Sequence, residues 1–449
     1  MLLHQRLLRS VTVSTAIGIP TIVVANSLFG VKSSWQSADA VGSGQCSDAT
    51  QVLGNHCFSG YSPAAQDLTP LTRLVQDASR QLGQLFGHSE VGLTSWLVLV
   101  ALCALVPLLW ATRPAPAQTR AVEILVFGVA TTPMLATMES GTSAAFTLPA
   151  LLWFGIAMAR GHSGTAVLAI AVATLLHPPL LLLSLLFLAR KDISRFAQSA
   201  ALGTASLFAV FITIGHGALR DFTGWLAKQF SGPFHLQLQP FPQSVGSGRS
   251  VTTSFEVLWT RVLGHDAQSS QQAFRARLNP VHAVQEFITG HQLLVQAIVV
   301  IAAVGLLALG YQRGHRLTRY ALVVAGSALP AIVPTLSPTY RLSFILIPVA
   351  VLMRAPHAHL EFFDTAPFWL ERAAQFVFVV AVTLSIVPTA LPLRWLIPVD
   401  GYSSVNLFVA LAGPAWIVLM MMLVLGMALP RNLAVKSGWR ARSAPRRRR

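Results

Sequence analysis

The chain has 449 residues, 53% of them hydrophobic and 11% charged, with a formal net charge of +16. Apolar stretches of about twenty residues, broken by basic clusters, exclude an ordinary soluble domain and indicate an all-α polytopic membrane protein.

Hydropathy places roughly twelve spans, at 7–30, 92–112, 121–138, 143–159, 165–176, 178–189, 197–215, 291–311, 320–336, 341–353, 374–393 and 405–429, against a hydrocarbon core of ~30 Å. The first follows Arg6 and Arg9. It reads as a retained span or as a signal peptide with a small-residue site at "VVANS". Retention leaves both chain ends on one side and gives every loop a consistent side.

The first long loop, 31–90, carries Asp39, Cys46, Asp48 and Cys57. Later in it, Leu68, Leu71, Leu74, Val75, Leu82, Leu85 and Phe86 recur at three- and four-residue steps, with Asp67, Arg73, Asp77 and Arg80 between them. That spacing predicts an amphipathic helix in the outer interface, packed on the bundle or walling a cleft for a lipid-borne substrate. Cys103 falls inside the second span, where a thiol is inert packing.

Glu139 sits in "TMESGTSAA", at the turn between spans three and four. The segments 165–189 and 320–353 are each split by a proline turn, His177-Pro178-Pro179 and Ser337-Pro338, and read as helical hairpins. Arg341 starts the tenth span. A second long loop, 216–290, holds the stripe Leu219, Phe222, Trp225, Leu226 and Phe230, and also Arg249 and Arg261. Residues 1–430 thus form one membrane domain and 431–449 a basic tail.

Charge orients this arrangement. Segments on the side of the two termini hold 21 basic and four acidic residues, whereas the opposite segments hold 11 of each sign. The positive-inside rule makes the first side cytoplasmic and places the protein in the plasma (inner) membrane with both termini inside. The excess charge is therefore topological. The Arg446–Arg449 run suits anionic lipid headgroups, and no nucleic-acid partner is expected.

No Gly-rich phosphate loop, Walker sequence, internal repeat or metal-ligand spacing occurs, so neither a cofactor nor a metal is expected. Cys46 and Cys57 share an extracytoplasmic loop, and a bridge between them would restrict the unfolded chain by about 2–3 kcal/mol and fix the position of Asp48. Asp48 and Asp39 are the acidic residues nearest the first span in that loop. A partly desolvated carboxylate there suits a general base acting on an acceptor hydroxyl. On spacing alone an exposed loop aspartate, or the cap of a helix from Ala49, is the better account of Asp48. Ionisable groups at three outer turns, Glu139, His177 and Arg341, are costly unless they meet in a polar cavity. There cations would face a phosphate and carboxylates sugar hydroxyls.

"TMESGTSAAFTLPALLWFGIAMARGHSGTAVLAIAVATLLHPPLLLLSLLFLARKD" resembles the central block of the polyprenol-phosphate-sugar-dependent glycosyltransferases of family 87, in the GT-C superfamily. "LSPTYRLSFILIP" resembles that family's Ser-Pro turn before a late span, and "GSGRSVTTSFEVLWTRVLG" its outer-loop segment. "CSDA" is similar to the Cys-x-Ser-Asp stretch that many actinobacterial members carry in the first outer loop. Together these pieces cover roughly half the chain. Two positions depart from the pattern: Glu-Ser-Gly-Thr stands for an asparagine-rich turn, and His177 for a lysine.

The resemblance implies a GT-C-like bundle that uses a polyprenyl-phosphate-linked sugar, mannose or otherwise arabinofuranose, on the outer side of the membrane. Asp48 or Asp39 would be the base toward a glycolipid or glycan acceptor. His177 and Arg341, with Arg249 or Arg261, would hold the phosphate, and Glu139 the sugar or acceptor. Two other classes share such an architecture, a secondary transporter or lipid-linked-sugar flippase, and a non-catalytic envelope partner. Transporters place ionisable groups near the bilayer midplane and often show inverted repeats. Here the groups sit at turns.

Overall fold

The computed structural model describes residues 3–29, 69–129, 131, 133, 134, 137, 143–190, 192–213, 222, 317–332, 343–354, 361–364, 366–387 and 407–429. Among them the fold is helical throughout, apart from one isolated bridge between Leu317 and Phe363. In chain order the helices are α1 (Leu3–Phe29), α2 (Pro70–Leu85), α3 (Ser89–Thr112), α4 (Ala117–Ile124), α5 (Thr147–Arg160), α6 (Ser163–Leu176), α7 (Leu185–Leu188), α8 (Ile193–Thr213), α9 (Arg319–Ile332), α10 (Leu346–Arg354), α11 (Phe368–Ile386) and α12 (Leu407–Ala428). A π-turn, Leu125–Val129, extends α4, and 3-10 segments Ser143–Phe146 and Pro178–Ser184 precede α5 and α7.

Among the described residues, four helical stretches are long and apolar enough to cross a bilayer: Val91–Thr112, Ser143–Arg160, Ile193–Thr213 and Phe368–Ile386. Their surfaces carry the pattern expected of helices packed in lipid. On α3, Trp96, Val100, Ala104 and Leu108 are buried, while Val98, Leu99, Leu102 and Leu109 are exposed. On α11, Leu370, Ala374, Phe378 and Ile386 are buried and Phe376 is exposed. Both faces are apolar, so it is packing, and not polarity, that separates core from perimeter. The described residues are thus helical and consistent with an all-α membrane protein.

The remaining apolar helices are shorter, Ser163–Leu176, Pro178–Leu188, Ser343–Arg354 and Ala415–Ala428. The second half of the His-Pro-Pro hairpin departs from the expected α-helix. Seven residues of 3-10 helix at about 2.0 Å rise, then four α-helical residues at 1.5 Å, extend ~20 Å, less than the hydrocarbon thickness. Pro178 and Pro179 open the segment and withhold two backbone donors.

At the centre lie α9 and α10. Tyr320 to Ala325 and Phe344 to Met353 are buried without exception, enclosed by α3, α5, α11 and α12. Small residues permit this density: a Cβ on Gly155 would lie 2.9 Å from Ile347 Cγ2 and 3.4 Å from Val323 Cγ1. Backbone-close packing of this kind replaces the hydrophobic drive that lipid removes.

The two ends of the bundle differ. At one end, the basic end, Arg354 lies over the Trp110 ring at 5.5 Å, and the Arg319 guanidinium covers Gly161, whose φ of 79° ends α5 in the left-handed region. Burial foremost, and the neighbouring Arg319 charge next, hold the Arg190 guanidinium below its ordinary value, while Asp364 and Asp192 oppose that shift. Phe368 and Trp369 are exposed beside Arg372, which sits 4.9 Å over the Phe368 ring, as in an interfacial aromatic belt.

A clasp that no local pattern announces closes this end. The Thr318 amide donates to Phe362 O at 3.0 Å, and the Glu371 carboxylate accepts from the amides of Phe362 and Phe363 and from Gln375 Nε2. The first helix does not line up with the basic end as the charge tally leads one to expect. Ser10 Oγ meets Thr383 Oγ1 at 3.0 Å, three residues from the opposite terminus of α11, so the turn bearing Arg6 and Arg9 packs along the far half of the bundle.

Candidate functional site

Of the residues singled out in the sequence, Asp39, Cys46, Asp48, Cys57, Glu139, Arg249, Arg261 and Arg341 lie outside the described residues. His177 lies within them. Its position follows from local chemistry: α6 ends at Leu176, and the residue before a proline is pushed out of the α region, so His177 is extended at φ −150°, ψ 97°. Its backbone amide still closes the last turn on Ala173 O at 2.8 Å.

The half-buried imidazole faces the Phe344 ring, with centroids 6.3 Å apart and planes at 53°. Phe344 belongs to the 3-10 turn at 343–345 that leads into α10, and Arg341 precedes that turn by two residues. The His-Pro turn and the entry of the segment after the Ser-Pro turn therefore meet at the far end, opposite Arg354 and Trp110. Beside them, Ser343 is 1% exposed and its hydroxyl makes no hydrogen bond. A buried hydroxyl left so costs about 1–3 kcal/mol. Sequence reasoning passed over Ser343 and Phe344. The available signal was their place directly after a Ser-Pro turn and a lone arginine.

The 3-10 segment Ser143–Phe146 enters the fold elsewhere on the same end. Its Phe146 packs edge-on to Trp96 of α3 with centroids 5.0 Å apart. Thr147 Oγ1 donates to Ala144 O at 2.6 Å, holding the segment at the mouth of α5. Cys103 is a free thiol on α3, partly buried, as its place in an apolar span leads one to expect.

Among the described residues no three His, Cys, Asp or Glu side chains gather where a metal could sit. Among the described residues the arrangement is an imidazole and a buried hydroxyl at the entry to α10, and these supply donors suited to an anion. These features define a helical membrane-bundle protein with a polar spot at one end. No family model, curated protein or solved structure matches the chain.

Proposed function

We propose that the protein is an inverting membrane glycosyltransferase of the GT-C type, transferring a sugar, mannose before arabinofuranose, from a polyprenyl-phosphate donor to a glycolipid or glycan acceptor. The observation that carries this reading is the meeting of His177 with Phe344. It joins the His-Pro turn to the segment that begins two residues after Arg341 in the sequence, at the end of the bundle away from Arg354 and Trp110, and on this reading His177 and Arg341 form a cationic pair there. A lipid monophosphate needs such a pair, because cationic donors offset its charge as the sugar departs.

On this reading about twelve spans sit in the plasma membrane with both termini cytoplasmic, the charge asymmetry outweighing the seating of α1 beside Thr383. Asp48 takes the proton of the acceptor hydroxyl, with Asp39 as the competing base. The hydroxyl oxygen attacks the anomeric carbon as its bond to the phosphate oxygen breaks, and polyprenyl phosphate leaves. Arg249 and Arg261 reach the phosphate from the second long loop, and Glu139 binds sugar or acceptor.

Purified protein in membrane lipid, given polyprenyl-phosphate-[14C]mannose or -arabinose, should label lipid acceptors. Asp48→Ala or Asp39→Ala should abolish labelling, and His177→Ala should weaken use of the donor. Labelling that survives both aspartate substitutions removes the base assignment. Absence of transfer from any lipid-linked sugar, together with flipping of that lipid in vesicles, replaces the enzyme with a transporter.

A further inference from the structure

The second helix reverses the expectation for an amphipathic segment. It starts cleanly, with Pro70 in its first turn and the Thr69 hydroxyl accepting from the Thr72 amide at 3.3 Å, and it stops at Gly87, where φ is 68°. The stripe it seats on the bundle is its small polar one. Thr72, Gln76, Ser79 and Gly83 are buried, whereas Leu74, Leu82, Leu85 and Phe86 are 50%, 42%, 81% and 60% exposed.

At about 100° per residue, that buried stripe, the apolar stripe (Leu71, Leu74, Ala78, Leu82, Leu85) and the charged stripe (Arg73, Asp77, Arg80, Gln84) centre roughly 100° to 130° apart. The helix has three faces. One meets protein. The two others call for different surroundings, one oily and one aqueous.

Its placement supplies both. The seat is tight, since a Cβ on Gly92 of α3 would stand 2.7 Å from Ser79 O, and one on Gly83 would stand 3.1 Å from Gly92 N. Yet α2 does not run down α3: Leu99, two turns below Gly92 on the same stripe, is 39% exposed. Helix α2 packs chiefly on α3 and also touches α6 and α8, so it lies against more than one span. Below it lies the apolar perimeter of α3, with Val98, Leu99 and Leu102 exposed.

We infer that α2 is a membrane-surface strut, whose Leu74, Leu82, Leu85 and Phe86 edge inserts among the phospholipids of the leaflet at the far end of the bundle. The acyl boundary is the occupant, because the exposed edge is apolar, as is the exposed face of the α3 span on which the helix is seated, and its neighbouring stripe bears Arg73 and Arg80, suited to headgroups. The strut is distinct from the wall of a donor cleft. Val75 packs against the core, but Leu74, Leu82, Leu85 and Phe86 face away from the bundle, and the function of the helix is to fix the depth and tilt of the spans it touches. This inference does not depend on the proposed reaction.

The test is photo-crosslinking of the full chain in phospholipid nanodiscs containing a trace of polyprenyl phosphate. Benzoylphenylalanine is placed at Leu82, at Leu85 or, as the aqueous control, at Arg80. Two sites on the edge guard against one variant misfolding. Mass spectrometry after irradiation should find phospholipid adducts at 82 and 85, several-fold above those at 80. Cross-links to this chain itself, adducts to polyprenyl phosphate alone, or yields no higher than at 80 would each overturn the inference, the second in favour of a donor-cleft wall.

Discussion

Removal of the Glu371 carboxylate tests the clasp at the basic end of the bundle. That carboxylate receives the Phe362 amide at 3.0 Å, the Phe363 amide at 3.1 Å and Gln375 Nε2 at 2.8 Å. Phe362 and Phe363 are themselves buried, so in Glu371→Ala neither amide gains water in exchange. Each buried donor left unpaired costs about 1–3 kcal/mol, and Gln375 turns to solvent at little cost. Two such amides give about 3–5 kcal/mol for the alanine variant, after modest relaxation. Glu371→Gln can keep an oxygen 3.1 Å from both amides, losing the charge and the second acceptor, and so costs about 0.5–1.5 kcal/mol. Denaturant titration in mixed micelles, read by tryptophan fluorescence, should rank parent above Gln above Ala. An alanine variant within about 0.5 kcal/mol of the parent, the range of an ordinary surface change, would show that these bonds do not hold residues 361–364 to α11.

Gly155→Leu forces a side chain against Ile347 and Val323 at the centre of the bundle. It should cost about 1–3 kcal/mol by overpacking and appear as a lower melting temperature in the same micelles. Trp416→Phe removes the indole donor that bonds Ser385 Oγ at 2.9 Å but keeps a ring beside Phe378. Since the Ser385 hydroxyl still donates to Ala381 O, the loss should be about 0.5–1.5 kcal/mol, against 3–5 for Trp416→Ala. Cys46 and Cys57 should be joined: intact mass should rise by the mass of two hydrogens on reduction, and an unchanged mass would leave Asp48 without its expected tether.

The spans were legible because a run of apolar residues is a local property. Hydropathy at 92–112 and 143–159 anticipates Ser89–Thr112 and Thr147–Arg160 to within a few residues. The existence of α2 was equally plain from its three- and four-residue steps. Its seating was not: in water the apolar stripe would turn inward, but next to lipid the small polar stripe packs more closely and the leucines lose nothing by staying outside. The 3-10 segment after His177 and the clasp at Phe362 escaped for the same reason, since each depends on partners distant in the chain. Charge around α1 pointed to one end of the bundle, while the Ser10 to Thr383 hydrogen bond is a contact across hundreds of residues that composition does not encode. Of the site, the sequence marked His177 and Arg341 as cations at turns. The meeting of His177 with Phe344 and the unpaired Ser343 hydroxyl could come only from the fold.

The most direct test of the central claim, that the His-Pro turn and the segment after the Ser-Pro turn build one phosphate site, is a double-mutant cycle on polyprenyl phosphate binding. Affinity is measured for the parent, His177→Ala, Arg341→Ala and the pair, in nanodiscs. The account predicts that each single change weakens binding and that the pair departs from additivity by more than about 0.5 kcal/mol. Affinity unchanged in both single variants would contradict it.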